Sequence, residues 1–292
     1  MAPTTNATDT RADPISMYPR LPRELERAIF ELVALSHPVF IPSLMLLASR
    51  VKQWIDPFLY RTLVIGMDNS RLKQADRQRT YTLKQWGRIA ELQASLLEFT
   101  RNLMMDVAPG NNRTTLNALL LACPNVQNLY MPWASYSPPP TETIDVLELR
   151  HLYCDVDDLV KTNPFSRPFF QNISHLELFS PPADKDWPGL IRLPRLTHLA
   201  FNNELLTLFQ RLLNECASLR VLVVLDTPRP SSDYSELAND TRFVMMEVED
   251  FIDDWQCGVL DGNDYWARAE DFIAKRIGGE PPSDGKHPFY LR

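Results

Sequence analysis

One short pattern returns at a nearly constant interval, and that interval limits what the chain can fold into. The pieces NVQNLYM, LRHLYC, NISHLEL, RLTHLAF and SLRVLVV each carry a central leucine: Leu129, Leu152, Leu176, Leu199 and Leu222. The steps between them are 23, 24, 23 and 23 residues. TRNLMM around Leu103 and YRTLVI around Leu63 read as earlier, less regular members. A fixed period of this length marks a repeat architecture, in which each unit buries its apolar side against the next. A second column stands six residues before each leucine and holds Cys123, Val146, Phe170, Leu193 and Cys216, which predicts one buried position per unit.

Each unit reads as a strand followed by a more helical stretch. In HLEL the two leucines point one way and His175 and Glu177 the other, as a period of two requires. The segment ELLTLFQRLLNEC places Leu205, Leu208, Phe209, Leu212 and Leu213 at helical spacing. The period and the L-x-x-L-x-L core resemble a leucine-rich repeat, over roughly residues 60 to 245. The resemblance implies an irregular α/β solenoid, a parallel strand layer backed by helices.

In such a layer the residue before each leucine faces solvent, so His151, His175 and His198 are expected to stack in line on an open strand face. Asn128 continues that column, and Tyr130, Tyr153 and Glu177 lie beside it. These seven residues are the candidate target-binding surface, since an open strand layer is the usual contact face of a solenoid; the alternative is a solvent-exposed polar ladder with no partner. Three rings in a straight column converge poorly on one ion, so no metal is expected.

Residues 18–62 precede the repeats and read as helical. Pro22 is placed to open a helix whose stripe is Leu25, Ile29, Leu32 and Val33. Pro38 and Pro42 stop it and start another, with Leu44, Leu47, Ala48, Val51, Trp54 and Ile55 as its stripe. Asp56-Pro57 then opens a short third helix. The ordered set LPRELERAIFELV followed by LLASRVKQW resembles an F-box, and the whole arrangement is similar to fungal F-box-like proteins with degenerate repeats. That resemblance implies docking on the Skp adaptor of a cullin–RING ubiquitin ligase, with Leu21, Pro22, Ile29, Phe30, Val51 and Trp54 making or supporting the contact. It implies a substrate-recognition subunit whose repeat face holds a target protein, in cytoplasm or nucleus. The alternative is an interaction scaffold in which these helices only cap the array.

After a last strand in TRFVMMEV, residues 246–280 are expected to close the array. Asn263 reads as an N-cap, Tyr265, Trp266, Ala269, Phe272, Ile273 and Ile277 as an apolar stripe, and Gly278-Gly279 as the stop. Residues 1–17 read as a disordered tail, 63–245 as the repeat array and 281–292 as a second tail.

Composition removes several function classes. The formal net charge of -7 disfavours nucleic acid. No apolar run approaches the ~20 residues of a membrane span. Four cysteines without a C-x-x-C pair suggest free thiols in a reducing compartment. No phosphate-binding glycine motif or nucleophile motif is present, and the pairs Asp157-Asp158 and Asp253-Asp254 read as solvated. Neither catalysis nor a cofactor is expected.

Overall fold

The computed structural model describes residues 21–66, 79–82, 85–86, 94–106, 113–132, 141–156, 160, 163–203, 205–225, 234, 236–279 and 289–291. The expected N-terminal tail, the proline-rich insertion after Pro132 and the pair Asp157-Asp158 lie outside the described residues.

The fold is mixed α/β, built on one ten-stranded parallel sheet. Its strands are β1 (Thr62–Gly66), β2 (Arg79–Thr82), β3 (Asn102–Asp106), β4 (Asn128–Met131) and β5 (His151–Cys154), then β6 (His175–Leu178), β7 (His198–Phe201), β8 (Val221–Leu225), β9 (Phe243–Met246) and β10 (Tyr290–Leu291). Their spatial order is β10-β9-β8-β7-β6-β5-β4-β3-β1-β2. From β3 to β10, neighbours in sequence are therefore neighbours in space. The exception is β2, which pairs with the outer side of β1 and lets β3 take the inner side.

Register follows the leucines. Leu63, Leu103, Leu129, Leu152, Leu176, Leu199, Leu222 and Phe243 are successive Cα partners across the sheet. One backbone device recurs at the strand entrances. The carbonyl of the residue before a strand accepts from two successive N–H groups of the next unit. Arg61 O accepts from Arg101 and Asn102 at 2.9 and 3.0 Å, Arg150 O from Ser174 and His175 at 2.8 and 3.1 Å, and Thr197 O from Arg220 and Val221 at 2.8 and 3.1 Å.

Parallel neighbours cannot be joined by a tight hairpin, so the chain must cross over between strands. The crossovers lie on the leucine side. They include α4 (Arg113–Ala122), α5 (Thr141–Asp145), α6 (Trp187–Ile191) and α7 (Leu206–Glu215). Between β5 and β6 the crossover holds two 3-10 turns, Pro164–Ser166 and Pro168–Asn172. Each opens on a proline, which lacks the N–H that a preceding helical turn would use. Phe165, Phe169 and Phe170 fill the space under these turns. The second column is buried at Cys123, Phe170, Leu193 and Cys216, but Val146 is 72% exposed and Leu147 is buried in its place. The short α5 turns one residue out of phase with its counterparts.

The opposite face is covered as well, which corrects the expectation of an open strand layer. Two C-terminal helices, α8 (Phe251–Asp261) and α9 (Tyr265–Ile277), pack there through Trp255, Tyr265, Trp266, Ala269, Phe272 and Ile273. Both helices begin on aspartate caps. Asp250 accepts from the N–H groups of Ile252 and Asp253 at 2.8 and 3.1 Å. Asp264, not Asn263, caps α9 and accepts from Ala267 N at 2.9 Å. The chain turns between them at Gly262, whose φ of 68° suits glycine. Gly258 allows the close crossing, since a Cβ there would stand 2.6 Å from the Asp264 carboxylate. Residues 289–291, expected within a tail, instead form β10 beside β9, with Phe289 and Tyr290 buried.

At the other end, residues before β1 form α1 (Arg23–Ser36), α2 (Ile41–Leu44), α3 (Ser49–Ile55) and a 3-10 turn at Asp56–Tyr60. These enclose a small core of Ala34, Ile41, Val51, Trp54 and Ile55. Among the described residues no single helix is long and apolar enough to cross a membrane.

Leu176 is fully buried and Val146 is not. Leu176→Ala is therefore expected to cost about 2–5 kcal/mol, and Val146→Ala no more than about 0.5 kcal/mol. Urea unfolding of the two variants checks both.

Candidate functional site

Two regions carry the residues that the sequence singles out. The first is the outer face of the N-terminal helices. Glu24 and Glu26 in the first turn of α1 suit the positive end of its dipole, and Arg50 of α3 pairs with Glu26 at 2.6 Å. This ion pair and the Phe30–Trp54 ring contact, 6.5 Å between centroids, set α1 against α3. Arg23 lies over the Trp54 ring at 5.8 Å. With Ala34 turned inward, the stripe Leu25, Ile29 and Leu32 is left in solvent at 54%, 48% and 63% exposure. Leu21 adds 57% at the start of the same segment.

The six residues expected to serve an adaptor thus divide. Leu21, Pro22 and Ile29 stand on the surface, Phe30 is half-buried at its edge, and Val51 and Trp54 are inside, supporting the helix from below. Leu35, Val39, Phe40 and Leu46 are further exposed apolar residues that the sequence patterns did not single out, and Leu47, expected in the stripe of one second helix, is exposed because the chain turns at 45–47 between α2 and α3. Isolated exposed leucines are ordinary; a run of them on one small module is not.

The second region is the strand face. His151, His175 and His198 do stack, with centroids 4.1 and 3.9 Å apart and planes within 13°. The rings meet face to face, so their in-plane nitrogen lone pairs do not converge on a common point. Among the described residues no group of three or more His, Cys, Asp or Glu is placed to hold a metal. The edge of the stack meets Trp266, 5.5 Å from His175 and 5.7 Å from His198.

Asn128, Tyr130, His151, Tyr153, His175, Glu177 and His198, expected to face a target, form instead the floor beneath α8 and α9. Tyr130, Tyr153, Glu177 and His198 are buried, and the other three are half-buried. Their polar atoms answer the helices above. Trp255 donates to Asn128 Oδ1 at 2.9 Å, and Trp266 to the Tyr153 hydroxyl at 3.1 Å. Tyr265 donates to Glu177 Oε2 at 2.8 Å. His198 Nε2 lies 3.1 Å from Glu270 Oε1. Asp254 of α8 accepts from Tyr265 N at 2.8 Å and pairs with Arg268 at 2.6 Å, tying the two helices together.

Burial governs ionisation here. It lowers His151 to about 4 and His175 to about 2, with neighbouring histidine charge adding to the effect. Burial also lowers His198, against the opposing pull of Glu270. It raises the Glu177 carboxyl to about 7, opposed by the Tyr265 hydrogen bond. Among the described residues Glu177 Oε1 and His151 Nδ1 have no hydrogen-bond partner. Elsewhere, burial pushes the Cys123 thiol up to about 12, which leaves it unreactive at neutral pH.

The signs give a pH dependence. Histidines held below their ordinary value contribute stability that is present above about pH 6.5 and lost as pH falls toward their folded values. Glu177 runs the other way, contributing stability below about pH 4.5 that is lost as pH rises toward 7. Three histidines outweigh one carboxyl, so between pH 7 and pH 5 stability should fall by on the order of 2 kcal/mol. His175→Phe keeps a ring in the stack without the proton and should make this acid limb shallower; an unchanged limb, read by thermal melting across pH, would contradict the account. Neither a model of a known family nor any curated protein matches the chain.

Proposed function

We propose that the protein is the substrate-recognition subunit of a cullin–RING ubiquitin ligase. Residues 18–62 are the F-box-like module that docks the Skp-type adaptor, and the strand–helix array behind it is an irregular leucine-rich-repeat solenoid that positions a target. The observation that carries this reading is the uncovered stripe Leu21, Leu25, Ile29 and Leu32 on a module whose own core, among the described residues, holds five buried apolar side chains. A helical module of ~40 residues buries too little to stand alone and gains from a second surface to lean on. Leu21 and Ile29 of that stripe are among the residues the F-box resemblance implies for adaptor contact, which supports this reading.

In this reading the chain is not an enzyme and needs no cofactor. It supplies proximity, and the ligase supplies the chemistry. The compartment follows from the machinery, cytoplasm or nucleus. Because α8 and α9 cover the strand face, the target meets the outer surface of these helices. A scaffold whose N-terminal helices are only a cap would hide Leu21 and Ile29 against the array, and their exposure speaks against it.

Affinity purification of the full chain followed by mass spectrometry should recover Skp and cullin peptides. Leu21→Ala/Pro22→Ala, and separately Leu25→Asp/Ile29→Asp, should lower adaptor recovery at least tenfold. Both pairs are exposed, so the melting temperature should change little. Absence of adaptor peptides, or recovery unaffected by both variants, would overturn the proposal.

A further inference from the structure

A cavity of about 530 Å³ opens where the N-terminal helices meet the sheet and the end of α8. Its wall is apolar, with Ala34, Ile41 and Met45 from the helical module and Val259 from α8. Val39 and Leu46 stand at its rim, 53% and 86% exposed. Two cations, Lys52 and Arg61, also line it, and among the described residues no aspartate or glutamate does. That imbalance is pronounced in a chain with 37 acidic residues against 30 basic ones.

Among the described residues Lys52 and Arg61 make no ion pair and no side-chain hydrogen bond. Burial, and then the like charge of Arg101, hold the Arg61 guanidinium below its ordinary value. Arg61 is exposed but crowded by a like charge, so an anion arriving beside it gains a modest, salt-sensitive attraction. The volume and the largely apolar wall match the form of a small-molecule site. Both cations keep contact with solvent, as a head group at the mouth of a cavity requires.

From this geometry we infer that the cavity binds an amphiphilic carboxylate, such as a medium-chain fatty acid. The apolar chain lies along Ile41, Met45 and Val259, and the carboxylate is held by Arg61 and Lys52. Since the wall is shared between the N-terminal module and α8, the ligand would also tie the module to the C-terminal helices. The inference does not rest on adaptor docking and stands or falls separately from it.

The test uses the full chain and a fluorescent probe, 11-(dansylamino)undecanoic acid, displaced by laurate. Laurate should displace the probe, and dodecan-1-ol, which has the same chain without the charge, should do so at least tenfold less well. Arg61→Met/Lys52→Met should remove most of the preference for laurate while leaving dodecan-1-ol displacement unchanged. Met45→Trp, which fills the cavity from its wall, should weaken both ligands. Equal displacement by laurate and dodecan-1-ol would overturn the assignment, as would a laurate preference that survives loss of both cations. Co-sedimentation with phosphatidylserine vesicles in the absence of laurate binding would overturn it in favour of a lipid surface.

Discussion

The structure depends on one backbone arrangement, the carbonyl at each strand entrance that accepts from two successive N–H groups of the next unit. It occurs at Arg61, Arg101, Gln127, Arg150, Ser174 and Thr197. Each occurrence starts the next parallel strand in the same register. Register decides which side chains stack, because a slip of one residue would send every side chain to the other face. With the register held, leucine stacks on leucine through the core and histidine on histidine across the other face.

Parallel sheets are covered on both sides, and this one is no exception. The two covers differ in chemistry. On the leucine side the crossover segments bury an almost purely apolar interior. On the other side α8 and α9 bring tryptophan and tyrosine, whose polar ends meet Asn128, Tyr153 and Glu177. Polar groups withdrawn from water must find partners or cost free energy. Most here do, and burial raises the Glu177 carboxyl to about 7, so that it carries a proton more readily than an exposed glutamate.

The sequence made the rungs legible and their covering illegible, for a physical reason. Period locates Leu63 through Leu222 because every unit repeats the same packing problem. Alternation in HLEL says only that the two faces differ, not that one is wet. Polar side chains at His175 and Glu177 look solvent-facing in one dimension, and only the three-dimensional return of α9 makes them interior. The stripe of α9 is buried as expected except at Ile277, which is 70% exposed, but its partner lies roughly a hundred residues earlier in the chain, beyond any local pattern. Val146 misled for a smaller reason, a short helix out of phase by one residue. On the module the stripe Leu25, Ile29 and Leu32 was evident, while its exposure was not, since periodicity identifies an apolar face without saying what lies against it.

The sheet's end at β9 has a consequence of its own. A regular row of parallel strands exposes unpaired backbone groups at its last member, an invitation for another molecule to add on. Tyr290–Leu291 occupies that position, and Met245 N donates to Phe289 O at 2.7 Å. A strand of two residues pairs with Met245 and Met246 of its neighbour and itself offers little backbone to a newcomer at this edge.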